Sequence, residues 1–188
     1  IYKKFPLFDS WSSLLNTVSA MLPVLLLGYF FNPAIVGFYA LGQKVLSLPM
    51  GVIGSSMAQV FYPRAVSAAR DGDLAQIVMR AFQELIKVSL VPIVLLIIVA
   101  PQLFSFFFGS QWIVAGEYVK WLGIWLLFTF ISSPLSTIFL VLNCQINLLI
   151  FNLVLFFTRT CLLAWAGWLH DDLLAIKLIG FSGGAIYF

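Results

Sequence analysis

The stretch VSLVPIVLLIIVAPQLFSFFF, residues 88–108, contains no charged side chain. An α-helix needs roughly 20 mainly apolar residues to cross a bilayer, and this stretch meets that length. Hydrophobicity this continuous also excludes a transmembrane barrel strand, which would alternate over about ten residues. Read outward from this segment, the chain repeats the pattern. Apolar stretches cover about 11–31, ending at Asn32-Pro33, then about 36–62, ending at Pro63. Others cover 116–142 and 146–168, and a further one starts near Leu173. The third helix begins near Leu74, but its first turns carry Arg80, Glu84 and Lys87, which leaves 88–108 as its lipid-facing part. The expected fold is an all-α membrane bundle of five complete spans and an incomplete sixth over 173–188, forming one domain over 1–188.

Composition agrees. Of 188 residues, 62% are hydrophobic and 9% charged, with a mean hydropathy of +1.07. Soluble domains are about a quarter charged, so this chain cannot cover a globule with polar surface. The net charge of +3 is too small to point to nucleic acid. Cys144 and Cys161, on one helix, would lie about 25 Å apart and could not bridge within it. Ile1 in place of an initiator Met and an apolar run stopping at Phe188 mark the chain as an expected fragment of a longer one.

Positive charge sets the expected orientation. Lys3 and Lys4 precede the first span, and Arg64 and Arg70 lie in the next loop on that side, 63–75, with Arg80 and Lys87 just beyond. That side is assigned as cytoplasmic, together with the N-terminus. The 32–36 turn, the 109–116 region with Glu117 and Lys120 nearby, and the 169–172 turn with His170, Asp171 and Asp172 are assigned outside. Pro23, Pro49, Pro92 and Pro134 each fall inside a different span. Each removes a backbone hydrogen bond that neighbours must replace, and bent helices of this kind are common in transporters.

At about 100° per residue, the spans carry polar faces. Gln43, Lys44, Ser47, Gly51, Gly54, Ser55 and Ala58 share one face of the second span. Ser12, Asn16, Ser19, Ala20 and Pro23 line up on the first, and Thr129, Ser133 and Ser136 on the fourth, with Ser132 adjacent. Gln145, Asn152 and Arg159 recur at seven-residue spacing on the fifth, near Thr160 and Gly167. Small and hydroxyl residues also serve close helix packing. A charge in mid-membrane is a different matter, because it costs at least about 2.5–3.5 kcal/mol on insertion scales and faces a partner or water. Lys44 lies about 10 Å and Arg159 about 14 Å inward from the outer ends of their spans. With no acid in either span, they point to an anionic guest in a wet cavity, unless they snorkel outward. The candidate cavity residues are Lys44, Arg159, Gln43, Asn16, Asn152 and Ser47. No nucleophile elbow, phosphate loop, paired catalytic carboxylates or metal-ligand spacing occurs, so neither an enzyme, a metal site nor a cofactor is expected.

Several strings resemble one family. Phe5-Pro6 and Trp11-x-x-Leu14-Leu15-Asn16-Thr17-x-Ser19 are followed by Leu22-Pro23-Val24 and Val36-Gly37-Phe38-Tyr39-Ala40-Leu41. Gln43-Lys44-Val45-Leu46-Ser47-Leu48-Pro49-Met50, Gln59-Val60-Phe61-Tyr62-Pro63-Arg64-Ala65, Ala100-Pro101-x-Leu103-Phe104, Trp112-x-x-Ala115-Gly116-x-Tyr118 and Ser132-Ser133-Pro134-Leu135-Ser136 continue the pattern. Together they resemble the second half of bacterial polysaccharide and O-antigen flippases of the multidrug/oligosaccharidyl-lipid/polysaccharide exporter superfamily. The resemblance covers the chain to about residue 145 and weakens beyond. It implies an inner-membrane, multi-pass protein of two bundles around a cavity. Such a protein flips undecaprenyl-pyrophosphate-linked oligosaccharide by alternating access, coupled to H+ or Na+, amid membrane lipids. Lys44 and Arg159 would then suit pyrophosphate or acidic sugars. A drug exporter of the same superfamily would want acidic cavity residues for cationic cargo, which these spans lack. A membrane enzyme of polysaccharide assembly would want a large outer loop, and the outer connections here are short.

Overall fold

The structure, a computed structural model, describes residues 4–135, 138 and 145–187, and within these it leaves the side chains of 4–13, 49, 50, 53, 58, 71, 133–135, 145, 186 and 187 undescribed. Of the positions singled out above, Lys3, Ser136 and Cys144, and the side chains of Lys4, Ser12, Pro49, Ala58, Ser133, Pro134 and Gln145, lie outside the described residues.

Every regular element among the described residues is helical: α1 (Lys4–Phe30), α2 (Pro33–Asp71), α3 (Leu74–Phe108), a 3-10 turn (Ser110–Trp112), α4 (Ile113–Leu135), α5 (Gln145–Trp168) and α6 (Asp172–Tyr187). The junctions follow from local chemistry. Asn32 caps α2, its side-chain oxygen accepting from the Ile35 N–H at 3.1 Å, and Pro33 stands at the first helical position, where no donor is needed. Asp171 caps α6 in the same manner, accepting from the Leu174 N–H at 2.8 Å.

The expected end of the second span at Pro63 is corrected. The helix runs on to Asp71, so the 63–75 loop reduces to Gly72 and Asp73. Phe61, Ala65 and Ala68 continue a buried stripe along α2, and that packing outweighs the hydrogen bond proline removes. The stop is Gly72, whose φ of 87° puts it in the left-handed region and lets its N–H bond to the Ala68 carbonyl. The 109–116 region is likewise already helical from Ile113.

Among the described residues, three helices are long and apolar enough to cross a membrane: Leu74–Phe108, Ser110–Ser132 and Ile146–Trp168. They overlap the third, fourth and fifth of the expected spans, the fourth beginning at Ser110 where about Gly116 was expected, and the described stretch Leu14–Phe30 of α1 is apolar as well. The surfaces agree with a lipid surround. α3 exposes Val91, Leu95 and Ile98, and α5 exposes Ile150, Val154, Phe157 and Trp165, an apolar exterior that a soluble protein avoids.

α4 is the centre. α3, α2 and α6 all pack on it, while α1 packs on α5, which in turn meets α6. Leu27, Tyr39, Leu46, Phe104, Tyr118 and Leu122 form the heart of the core, with Trp125 and Leu163 beside them. Two close approaches depend on glycine. A Cβ at Gly116 would stand 2.4 Å from the Pro101 Cα, and one at Gly180 would stand 2.5 Å from the Trp121 carbonyl oxygen. Small residues at such crossings let membrane helices approach backbone to backbone.

Candidate functional site

α2 divides into two faces. Tyr39, Gly42, Leu46, Phe61, Ala65 and Ala68 point inward, with Gly42 against Val119 and Ala115 of α4. The outward face runs through Ala40, Lys44, Ser47, Gly51, Ser55 and Gln59, all exposed. Leu48 and Val52 share it, but the stripe is mainly small and polar, unlike the exterior of α3 and α5. The recurrence at three and four residues is the helical period.

The polar groups on this stripe differ in what they need. The Ser47 hydroxyl donates to the Lys44 carbonyl at 3.2 Å, and Ser55 and Ser56 donate to the Val52 carbonyl at 3.0 and 2.9 Å. Serines bonded back to their own helix tolerate an apolar surround. The Lys44 ammonium has no ion pair among the described residues. It stands about 16 Å along α2 from Pro33, and an ammonium placed within a bilayer would require water or an anion. Gln43 is half-buried at the edge of the stripe, and Asn16 is exposed on α1.

Arg159 takes a different place. It is 4% exposed, and its guanidinium carbon lies 4.5 Å from the centroid of the Trp125 ring. Tyr39 is wholly buried on the inner face of α2. Asn152, Leu155, Arg159, Leu163 and Ala166 are all buried and recur at spacings of three and four, the inner seam of α5. The structure therefore brings Asn152 and Arg159 to one interior seam and puts Lys44, Ser47 and Asn16 on exposed surfaces. A guanidinium on an indole face in a desolvated setting is worth about 2 kcal/mol, so this contact ties α5 to α4.

Two features were not legible beforehand. Tyr118, 1% exposed, donates its hydroxyl hydrogen bond to the Asp172 carboxylate and so joins α4 to the first turn of α6. Trp125 serves as the platform for Arg159. Both pairs join residues far apart in the chain, and no local spacing announces them. The Asp171-Asp172 turn resolves into a helix cap and a Tyr118 acceptor. Glu117 and Lys120 pair with each other at 2.8 Å.

A family model described as polysaccharide biosynthesis protein matches residues 4–117, more than half of the chain. No curated protein and no solved structure matches it.

Proposed function

From the premise that this chain belongs to the polysaccharide biosynthesis protein family, we propose that it moves a lipid-linked oligosaccharide across the bacterial inner membrane by alternating access. The family and the apolar helices make it a membrane protein of polysaccharide synthesis or export. Translocation of the intact cargo, rather than chemistry upon it, is the added step.

One observation carries the reading. The exposed face of α2 is small and polar around Lys44, while the exposed faces of α3 and α5 are apolar. A bilayer-embedded helix turns such a face away from acyl chains and toward water. The α2 stripe is thus read as one wall of an aqueous cavity. Lys44 meets the pyrophosphate or acidic sugars of the cargo there, and Gln43, Ser47 and Asn16 offer neutral hydrogen bonds to sugar hydroxyls. Arg159 and Asn152 brace the wall from behind, through Trp125 and the α5 seam. The lipid carrier would be an undecaprenyl pyrophosphate, and the ends bearing Arg64, Arg70 and Arg80 would face the cytoplasm. A coupling cation, H+ or Na+, would supply the driving force.

The test is Lys44→Ala in the full-length protein, with Lys44→Arg as the charge-preserving control. Lys44→Ala is expected to lower surface polysaccharide at unchanged protein level in the membrane, and Lys44→Arg to retain it. Normal surface polymer with Lys44→Ala would refute the reading.

A further inference from the structure

α3 lies along α4 and meets α2 only lightly. The two helices leave a cleft between them at the end where Gly72 and Asp73 join them. A hollow of about 250 Å³ lies there, walled by Met57, Phe61 and Leu85 and edged by Arg64, Arg80 and Glu84. A second hollow of about 330 Å³ adjoins it, since Arg64 and Ile77 line both.

The charges are unevenly satisfied. Glu84 pairs with Lys87 at 3.0 Å, whereas neither Arg64 nor Arg80 makes an ion pair within the described residues. Asp73 lines the second hollow beside Arg64, yet no ion pair forms between them. The cleft thus offers two guanidiniums above an apolar floor. One turn and two turns beyond Leu85, Val88 and Val91 are exposed on α3, and they extend the apolar track from the cleft along the helix.

We propose that this cleft binds an anionic phospholipid. Its phosphate sits between Arg64 and Arg80, and one acyl chain lies against Met57, Phe61 and Leu85 and runs out along Val88. Guanidinium suits phosphate through its planar fork of donors, and basic pockets between transmembrane helices hold anionic headgroups in this manner. The size favours a lipid of the bilayer over a wholly enclosed guest. Pockets that engulf a drug-sized ligand run to about 300–1,000 Å³, and the first hollow falls short of that. It accommodates part of an amphiphile whose remainder stays in the membrane. The site does not depend on the route proposed for the cargo, because none of its residues belongs to the Lys44 stripe.

The experiment uses the purified full-length protein in detergent, titrated with phosphatidylglycerol, with phosphatidylcholine of the same chains, and with inorganic phosphate alone. Bound lipid is counted by native mass spectrometry. Phosphatidylglycerol is expected to bind in preference to phosphatidylcholine, and inorganic phosphate not to displace it. Each cation near an anionic headgroup contributes about 1 kcal/mol and a tenfold change is about 1.4 kcal/mol, so Arg64→Gln with Arg80→Gln should weaken phosphatidylglycerol about 25-fold. The double lysine variant should keep most of the affinity. Ala81→Trp, which fills the cleft and leaves both arginines, should also expel the lipid. Unchanged phosphatidylglycerol affinity in the double glutamine variant or in Ala81→Trp would overturn the proposal, as would complete displacement by phosphate alone. Melting of each lipid-free variant at the parent temperature verifies that the fold is intact.

Discussion

Gly116→Ala should destabilise the bundle, although alanine is the better helix former. At this position α4 crosses α3 with backbone on backbone. The added Cβ would lie 2.4 Å from the Pro101 Cα, 2.7 Å from its nitrogen and 2.8 Å from the Ala100 carbonyl oxygen. None of these atoms is the end of a flexible side chain, so relief requires the helices to separate. Ala100, Pro101 and Phe104 are buried on the α3 side and Ala115, Tyr118 and Val119 on the α4 side, so the seam loosens as a unit. Overpacking of this kind costs about 1–3 kcal/mol, against a gain of about 0.5–1 kcal/mol for replacing a helical glycine. The net is about 0–2.5 kcal/mol of destabilisation, and at about 2–4 °C per kcal/mol the melting temperature falls by up to about 10 °C. Gly37→Ala is the matched control, since a Cβ there meets nothing within 4 Å. Only the propensity gain remains, and melting should rise by about 1–4 °C. Thermal unfolding in detergent, followed by loss of the monodisperse gel-filtration peak, reads both. If Gly116→Ala melts as high as Gly37→Ala, the close α3–α4 crossing is not as described.

Other outcomes follow from the same contacts. Tyr118→Phe removes the hydrogen bond to Asp172, and side-chain hydrogen bonds between membrane helices average about 0.6 kcal/mol and reach about 1.7. Melting should drop within that range, and no drop would show that the pair does not hold α4 to α6. A double-mutant cycle with Arg159→Met and Trp125→Leu should return a coupling of about 2 kcal/mol for the desolvated cation–π contact. A coupling under about 0.5 kcal/mol would dissolve the link between α5 and α4. In full-length protein with Cys144 and Cys161 replaced by Ala, Ser47→Cys should react with a membrane-impermeant maleimide, whereas Val154→Cys should not, although both positions are exposed. Equal labelling at the two sites would remove the distinction between a wet face on α2 and a lipid face on α5.

The helical class and the membrane setting were legible from residues 88–108 and from the scarcity of charge, because a bilayer imposes one length and one polarity on whatever crosses it. The start of α3 at Leu74 and of α6 close to Leu173 were also legible, since caps and turns are set by a few adjacent residues. Pro63 misled, because a proline acts locally as a stop, while the buried stripe of Phe61, Ala65 and Ala68 acts through contacts with other helices and wins. The two cations teach the same lesson. Periodicity assigns Lys44 and Arg159 each to a polar face of its own helix, and it cannot say what that face meets. Only the packing of α2 and α5 around α4 decides that Lys44 stands on an exposed stripe while Arg159 lies inside on Trp125, because the meeting of two helix faces depends on side chains dozens of residues apart.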